Sequence, residues 1–284
     1  MLLFLSDGRL GNQLFQYAFL NTIKKDNEKI ITSNMEQFVD TFDIENELFI
    51  HVTTNKYTRF IIKKFLKRFL MFLAKLKLIG YIKQNRSDTS SLPTFMEQKG
   101  FLPLRLVETN FFQSEKFFNP EKIDFKLKTD SKEQANEILE SISNDFTKVF
   151  VHVRRGDYIF VNYGNKQGID LPKQYFLDAI KKIKQEVKNP FFVFLSDDAS
   201  FVECCFEDIE NKYISRNSME VDLALMSLCK YGIVSNSSFS WWGAYMMKDR
   251  KKVIFPKYWF GWKSKVESHI GIQPNWAEVI EVNK

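Results

Sequence analysis

Two adjacent arginines, Arg154 and Arg155, follow the apolar run Val149–Val153 and precede Gly156, Asp157 and Tyr158. A guanidinium presents a rigid fork of donors that matches phosphate oxygens, and it keeps its charge at any working pH. At the carboxyl end of an α/β strand, where open parallel sheets bind ligands, such a pair has the chemistry to hold a diphosphate leaving group. A second group is Val234-Ser235-Asn236-Ser237-Ser238-Phe239, where a strand ends, small polar residues follow and a helix begins. Backbone N–H groups and hydroxyls there form an anion site, although plain N-capping reads the same residues equally well. A third is Gly8-Arg9-Leu10-Gly11-Asn12-Gln13 after the first strand. Its glycines let the backbone approach a ligand, or they serve only a tight strand–helix turn. Ser196-Asp197-Asp198 could accept ribose or acceptor hydroxyls, or cap a helix. Trp241, Trp242, Trp259 and Trp262 could stack on sugar rings, although such residues more often belong to the core.

What is missing narrows the chemistry. There is no G-x-x-x-x-G-K-[ST] loop and no complete G-x-G-x-x-G. The three histidines and three cysteines (Cys204, Cys205, Cys229) do not fall at metal-ligand spacing. No Asp-x-Asp pair follows an apolar strand, so a nucleotide-sugar enzyme of this sequence has to neutralise its diphosphate with protein groups. No metal and no cofactor are expected. The chain has 284 residues, 44% of them hydrophobic, and a formal charge of +6, which favours an anionic partner. An odd, unpatterned cysteine count suits a reducing compartment, the cytoplasm. Met1–Leu5 reads as a first strand, and no apolar run approaches the roughly 20 residues that span a bilayer.

The elements that must position these groups alternate regularly in the second half. Strands are expected at Lys148–Val153, Phe191–Leu195, Tyr213–Ser215, Tyr231–Val234 and Lys251–Phe255. Helices fall between them at Lys173–Lys188, Ala199–Phe206, Met219–Cys229 and Phe239–Met247. Strands alternating with helices mean βαβ units and a parallel sheet. The first half opens with strand Leu2–Leu5, a helix through Lys25 and strand Lys29–Thr32, and then the pattern blurs. The fold class is α/β, read as two open layers with a cleft between them. Their boundary falls in Glu137–Thr147, giving domains 1–140 and 141–284. From Lys56 to Lys83 the chain carries many Lys and Arg and no acid, interleaved with Phe60, Phe65, Phe69 and Phe72. This reads as one or two basic amphipathic helices. Either they dock on an anionic membrane surface, or they form a surface hairpin with a solvated basic face. No nucleic-acid-binding signature accompanies the charge.

Taken together, the motifs resemble the GDP-fucose-dependent fucosyltransferases, most closely the bacterial α-1,2-fucosyltransferases of glycosyltransferase family 11. The stretches that carry the resemblance are Gly8–Ala18, His152–Tyr158, Ser196–Asp198, Asp222–Ser227 and Asn236–Ala244. The resemblance implies a GT-B-like fold of two Rossmann-like domains facing a cleft, and the residues themselves place a basic helical insertion in the N-terminal half. That segment lies in the stretch Asn34–Asn110, which matches no motif of the family and is expected to hold much of the acceptor specificity. The resemblance implies inverting, metal-independent transfer of L-fucose from GDP-β-L-fucose, most often to O2 of a terminal β-galactoside. The C-terminal domain would bind the donor. Arg154 would hold the diphosphate, with Arg155 supporting it. His152 and Asp222 would contact the guanosine part, and Ser237 and Ser238 the phosphate oxygens. Asp197, Asn236 and the loop residues Gly8, Gly11, Asn12 and Gln13 complete the donor-site candidates. Arg9 departs from the pattern, since many members have glycine there. Inversion needs a proton acceptor, for which Asp157 and Asp7 are the candidates. Asp157 could instead only orient Arg154, and Asp7 only cap the first helix. A lipid-linked surface polysaccharide on the inner face of the cytoplasmic membrane would suit the basic helices. Two rivals stand beside this reading: a transferase for another nucleotide sugar, and a non-catalytic glycan- or anion-binding module.

Overall fold

The computed structural model describes residues 1–85, 94–268 and 270–283. It divides into two compact units, Met1–Lys126 and Leu127–Lys284. The division comes earlier than the expected 140/141 because helix Thr129–Glu140 packs against helix Met219–Leu228 of the second unit.

In the first unit, β1 (Leu2–Leu5), β2 (Ile30–Ser33), β3 (Phe49–Val52), β4 (Gly80–Asn85), β5 (Thr94–Gln98) and β6 (Arg105–Val107) form one sheet, ordered β3-β2-β1-β6-β4-β5. Neighbours are parallel except β4 and β5. Helix Leu10–Ile23 is apolar nearly all round. It is buried from Leu10 to Leu20 except at Asn12, as an interior helix must be. Phe19 stacks on Phe112 with ring centroids 3.9 Å apart.

The basic segment is helical only from Lys56 to Lys75, with a π-helical turn at Ile62–Leu66. Its expected remainder, through Lys83, is instead a turn at 76–79 followed by strand β4 from Gly80. There Gly80, Ile82 and Gln84 are buried and alternate with more exposed neighbours, the period of two that belongs to a sheet.

In the second unit, β7 (Thr147–Val153), β8 (Pro190–Ser196), β9 (Lys212–Ile214), β10 (Tyr231–Ile233), β11 (Lys252–Pro256) and β12 (Glu278–Ile280) are all parallel, ordered β9-β8-β7-β10-β11-β12. Val149, Val151, Phe192, Phe194 and Ile233 are at most 1% exposed, the continuous apolar character of strands covered on both faces. Helix Lys173–Glu186 adds Phe176, Ile180 and Ile183 to that core. The strand order is that of a doubly wound nucleotide-binding sheet. The chain moves from β7 outward to β8 and β9, then returns to the other side of β7 to lay down β10. At that reversal the connections diverge and leave a crevice beyond the carboxyl ends of β7 and β10.

Candidate active site

Strand register assembles the site. β7 delivers Arg154 and Arg155 to the reversal, and β10, paired alongside, delivers Ser235–Ser238. β8 pairs with β7 so that Ser196 stands opposite Val153, which brings Asp197 and Asp198 to the two arginines. Arg154 Nη1 lies 2.7 Å from Asp197 Oδ2, and Arg154 Nη2 donates to Asp157 Oδ1. The Arg155 backbone N–H donates to Asp197 Oδ1 at 2.9 Å, so a single carboxylate ties both arginines. Arg155 Nε is 3.1 Å from Asp198 Oδ2, and its guanidinium lies 3.9 Å from the Phe201 ring centroid. Asp170 approaches Arg155 Nη1 at 3.7 Å. The Arg154 side chain is 15% exposed and that of Arg155 30%, so both are held by the protein yet reachable. Each guanidinium has five N–H donors, more than these carboxylates take, and carboxylate-oriented guanidiniums are pre-set for a phosphate.

Gly156 has a steric role here. A Cβ at this position would stand 2.2 Å from Asp197 Oδ2, so only glycine lets Asp197 reach both arginines.

Two of the expected donor contacts are titratable, His152 buried and Asp222 half-buried. His152 is 5% exposed, with Nδ1 2.7 Å from Ser235 Oγ. Burial, reinforced by the Arg154 charge, pushes its pKa down to about 3. The ring is therefore neutral, and its hydrogen bond joins β7 to the turn after β10. Asp222, in the first turn of helix Met219–Leu228, accepts a hydrogen bond from Ser215 Oγ. Burial raises its pKa to about 7, against the lowering effect of the Ser215 bond and with help from Glu220.

The serine turn combines both sequence readings. Ser237 caps helix Ser238–Tyr245, its Oγ accepting the Phe239 N–H at 3.3 Å, and Ser238 is half-buried at the first helical position. Asn236 points inward: Nδ2 donates to the Ile169 carbonyl at 2.6 Å, while the buried Oδ1 has no hydrogen-bond partner. Asp198 is likewise a cap, accepting the Phe201 N–H at 3.0 Å. The tryptophans are core. Trp241, Trp242 and Trp259 are 0% exposed and Trp262 6%, which leaves no face for a sugar.

In the first unit, the loop after β1 is stapled from within. Gly8 has φ +94, and a Cβ there would stand 2.6 Å from Asn12 Nδ2. Gln13 is buried, donating to the carbonyls of Gly8 and Asn34 and accepting from Phe38 N–H. Asn12 Oδ1 accepts from Gln113 at 2.7 Å, and Gly11 is buried in the helix. Gln37 Oε1 accepts the Leu10 N–H at 2.8 Å, so Gln37 serves the helix start. Asp7 is exposed and lines a pocket of about 160 Å³ with Ser6, Asn34, Thr54, Arg59 and Lys67, beyond the carboxyl ends of β1 and β2. Larger hollows of this unit lie elsewhere. One, at the amino ends of β1 and β6 beside Glu28 and Arg105, is on the wrong edge of a parallel sheet for a ligand.

Sequence reasoning missed Asp170, Phe201 and the steric role of Gly156. A glycine between an arginine pair and an acid was the one available signal. Asp170 sits in a loop with no periodic cue, and only the fold carries it to Arg155.

Residues 3–279 match the family model described as glycosyl transferase family 11. The α-1,2-colitosyltransferase of Escherichia coli is 29% identical, over 89% of this chain and 90% of that protein. The O-antigen biosynthesis glycosyltransferase WbnK of Escherichia coli is 28% identical, over 91% and 94%. Among solved structures, the α-1,6-fucosyltransferase NodZ co-crystallised with GDP aligns with a TM-score of 0.53, covering 84% of this chain and 91% of that one, at 12% identity. That likeness is one of fold, α/β and GT-B-like.

Proposed function

The chain belongs to glycosyl transferase family 11 and is a glycosyltransferase, and from this premise we propose that it moves L-fucose from GDP-β-L-fucose to a glycan hydroxyl, with inversion and without a metal. The observation that supports the reading most is the arginine pair at the sheet reversal, cross-tied by Asp197. Arg154 and Arg155 hold the diphosphate, with Ser237 and Ser238 beside it. Asp222 and His152 serve the guanosine end, and Asp197 and Asn236 support the frame. Gly8, Gly11, Asn12 and Gln13 complete the donor-binding set.

In the reaction, the acceptor oxygen bonds to the anomeric carbon as the carbon–phosphate oxygen bond breaks, and the electron pair leaves with the β-phosphate. Arg154 stabilises that charge as it develops, an interaction worth roughly 10²- to 10³-fold in kcat for one such donor. The diphosphate competes with Asp157 for Arg154, and the displaced carboxylate becomes one candidate to take the hydroxyl proton. Asp7, exposed at its pocket, is the other. O2 of a terminal β-galactoside is the acceptor position we favour. The acceptor is an O-antigen-type glycan, carried on a lipid at the inner face of the cytoplasmic membrane.

A specific finding favours a second donor: the Escherichia coli relative that is 29% identical is named a colitosyltransferase. Colitose is fucose lacking one hydroxyl, so a pocket built to hydrogen-bond that hydroxyl rejects it strongly. The deciding experiment measures GDP release from GDP-fucose and from GDP-colitose, with EDTA present, across galactose-terminated acceptors. Acceptor-dependent release from GDP-fucose supports the proposal. Release from GDP-colitose alone transfers it to the second donor, and loss of release on EDTA addition overturns the metal-independent mechanism.

A further inference from the structure

The helix Lys56–Lys75 wears its apolar side outward. Tyr57, Phe60, Phe65, Phe69, Phe72 and the adjoining Leu76 are each between 54% and 80% exposed. On the other side, Leu70 and Ala74 are buried against Ile79 and Leu106. At about 100° per residue, an unbroken α-helix would spread those six exposed side chains over about half its circumference. The π-turn at Ile62–Leu66 takes up one extra residue. That brings the second half back into register with the first, so the six fall in a stripe about 80° wide.

The bases are as ordered as the rings. On the same projection the exposed Lys56, Lys64, Arg68 and Lys75 fall in a single row along one shoulder of the stripe. Lys64 Nζ stands 5.2 Å from the Phe60 ring centroid and 5.8 Å from that of Phe65. No acid occurs from Lys56 to Lys83. The patch also continues beyond the helix. Phe101 and Leu102 donate their N–H groups to the carbonyls of Lys77 and Leu78, which sets Phe101, 87% exposed, beside the helix end.

We propose that this stripe and its basic shoulder seat the protein on an anionic phospholipid surface, with the aromatic rings at the level of the headgroup–acyl boundary. Charge complementarity decides for lipid over a second copy of the chain. Two copies meeting on this face by a two-fold axis would bring an all-basic surface against itself. A bilayer bearing anionic headgroups takes both the rings and the amines. The inner side of the same helix contributes Arg59, Ile62 and Lys67 to the pocket that holds Asp7. A bilayer-seated helix is thus one wall of that pocket. The extension to a lipid-borne acceptor rests on the proposed function, whereas the docking does not.

The test is co-sedimentation of the whole protein with vesicles of phosphatidylcholine alone or with 30% phosphatidylglycerol (about a third anionic lipid, enough to charge the surface). The bound fraction is expected to be at least fivefold higher on the anionic vesicles. It should drop at least tenfold in Phe69→Asp/Phe72→Asp, and fall with added salt in parallel with Lys64→Glu/Arg68→Glu. Binding of GDP and an unchanged melting temperature show that a variant is folded. No binding of the wild type to anionic vesicles, equal binding to both vesicles, or unchanged binding of the Phe variant overturns the proposal. So does a dimer in light scattering that the Phe variant dissociates, since that assigns the face to a second copy. Vesicle binding without fucosyl transfer sinks the donor reading alone. Transfer to a soluble acceptor without vesicle binding sinks the docking alone.

Discussion

Asp197 is the residue on which the arginine pair turns, because its two oxygens reach the Arg154 guanidinium and the Arg155 backbone at once. Gly156→Ala would push that carboxylate aside, since the added methyl meets Asp197 Oδ2. The neighbour that must move is a side-chain end, so the fold survives and the site loosens. GDP affinity is expected to fall about tenfold by calorimetry with little change in melting temperature, as a mis-set guanidinium loses part of a charge-assisted pair. Arg154→Ala should lower kcat by roughly 10²-fold or more while leaving the fold intact. Near-normal turnover in that variant would remove Arg154 from the chemistry. Asp222 gives a pH signature. Its pKa is about 7 in the folded protein against an ordinary 3.8, so the folded state binds the proton more tightly. That contribution favours folding below the lower value and declines as pH rises through about 7. Asp222→Asn removes the decline, and against wild type it should gain about 2–4 kcal/mol of relative stability between pH 4 and pH 8. His152 works the opposite way. Its folded pKa of about 3 lies below the usual 6.5, so its contribution grows as pH rises between those values.

Among the elements, the sheet of the first unit is pinned at one edge by a buried ion pair. Arg105, on β6, pairs with Glu28 just before β2, with side chains 9% and 7% exposed, and reaches Glu97 on β5 at 2.9 Å. Burial works to raise the Glu28 pKa, but the hydrogen bonds from Arg105 and from the Lys25 N–H prevail and hold it at about 2. Its stabilising contribution is full above about 4.5 and is lost as pH falls through about 2. Arg105→Ala takes the guanidinium from buried Glu28 and leaves it the exposed Met1 ammonium and the Lys25 N–H, so it should cost about 3 kcal/mol in urea unfolding. The paired change Arg105→Met with Glu28→Leu should recover most of that, because apolar replacement of both partners removes the unpaired charge. The same scale explains why the basic helix stops at Lys75 and not at Lys83. Lys and Arg give no period, and the buried alternation of Gly80, Ile82 and Gln84 competes with the helix only once β6 stands ready as a partner.

At the scale of the molecule, each unit is an α/β layer with its candidate site residues at the carboxyl ends of its strands, and the formal charge is +6. If that charge guides an anionic donor, the second-order rate of GDP capture should fall severalfold from 50 to 300 mM salt in stopped flow, while dissociation changes less. Much of this was legible in the chain. Five strands of the second unit's sheet were readable because parallel, doubly covered strands are near-continuous runs of Val, Phe and Ile, and because glycine and small polar residues punctuate them, whereas the half-exposed edge strand Glu278–Ile280 was not. The arginine pair and the serine turn were readable because both sit where such runs stop. Register and packing were not readable. Nothing in the order of residues says that Ser196 stands opposite Val153, and that pairing alone brings Asp197 to Arg154. Asp170 reaches Arg155 through a loop, and helix Thr129–Glu140 joins the second unit through a face whose partner is about 90 residues away. The π-turn that aligns the rings of the basic helix is equally invisible, since a one-residue change of pitch leaves composition untouched. Local pattern thus determined the elements and the chemistry they carry. Long-range contact decided which groups meet, because burial and pairing between distant segments carry free energy that no local pattern contains.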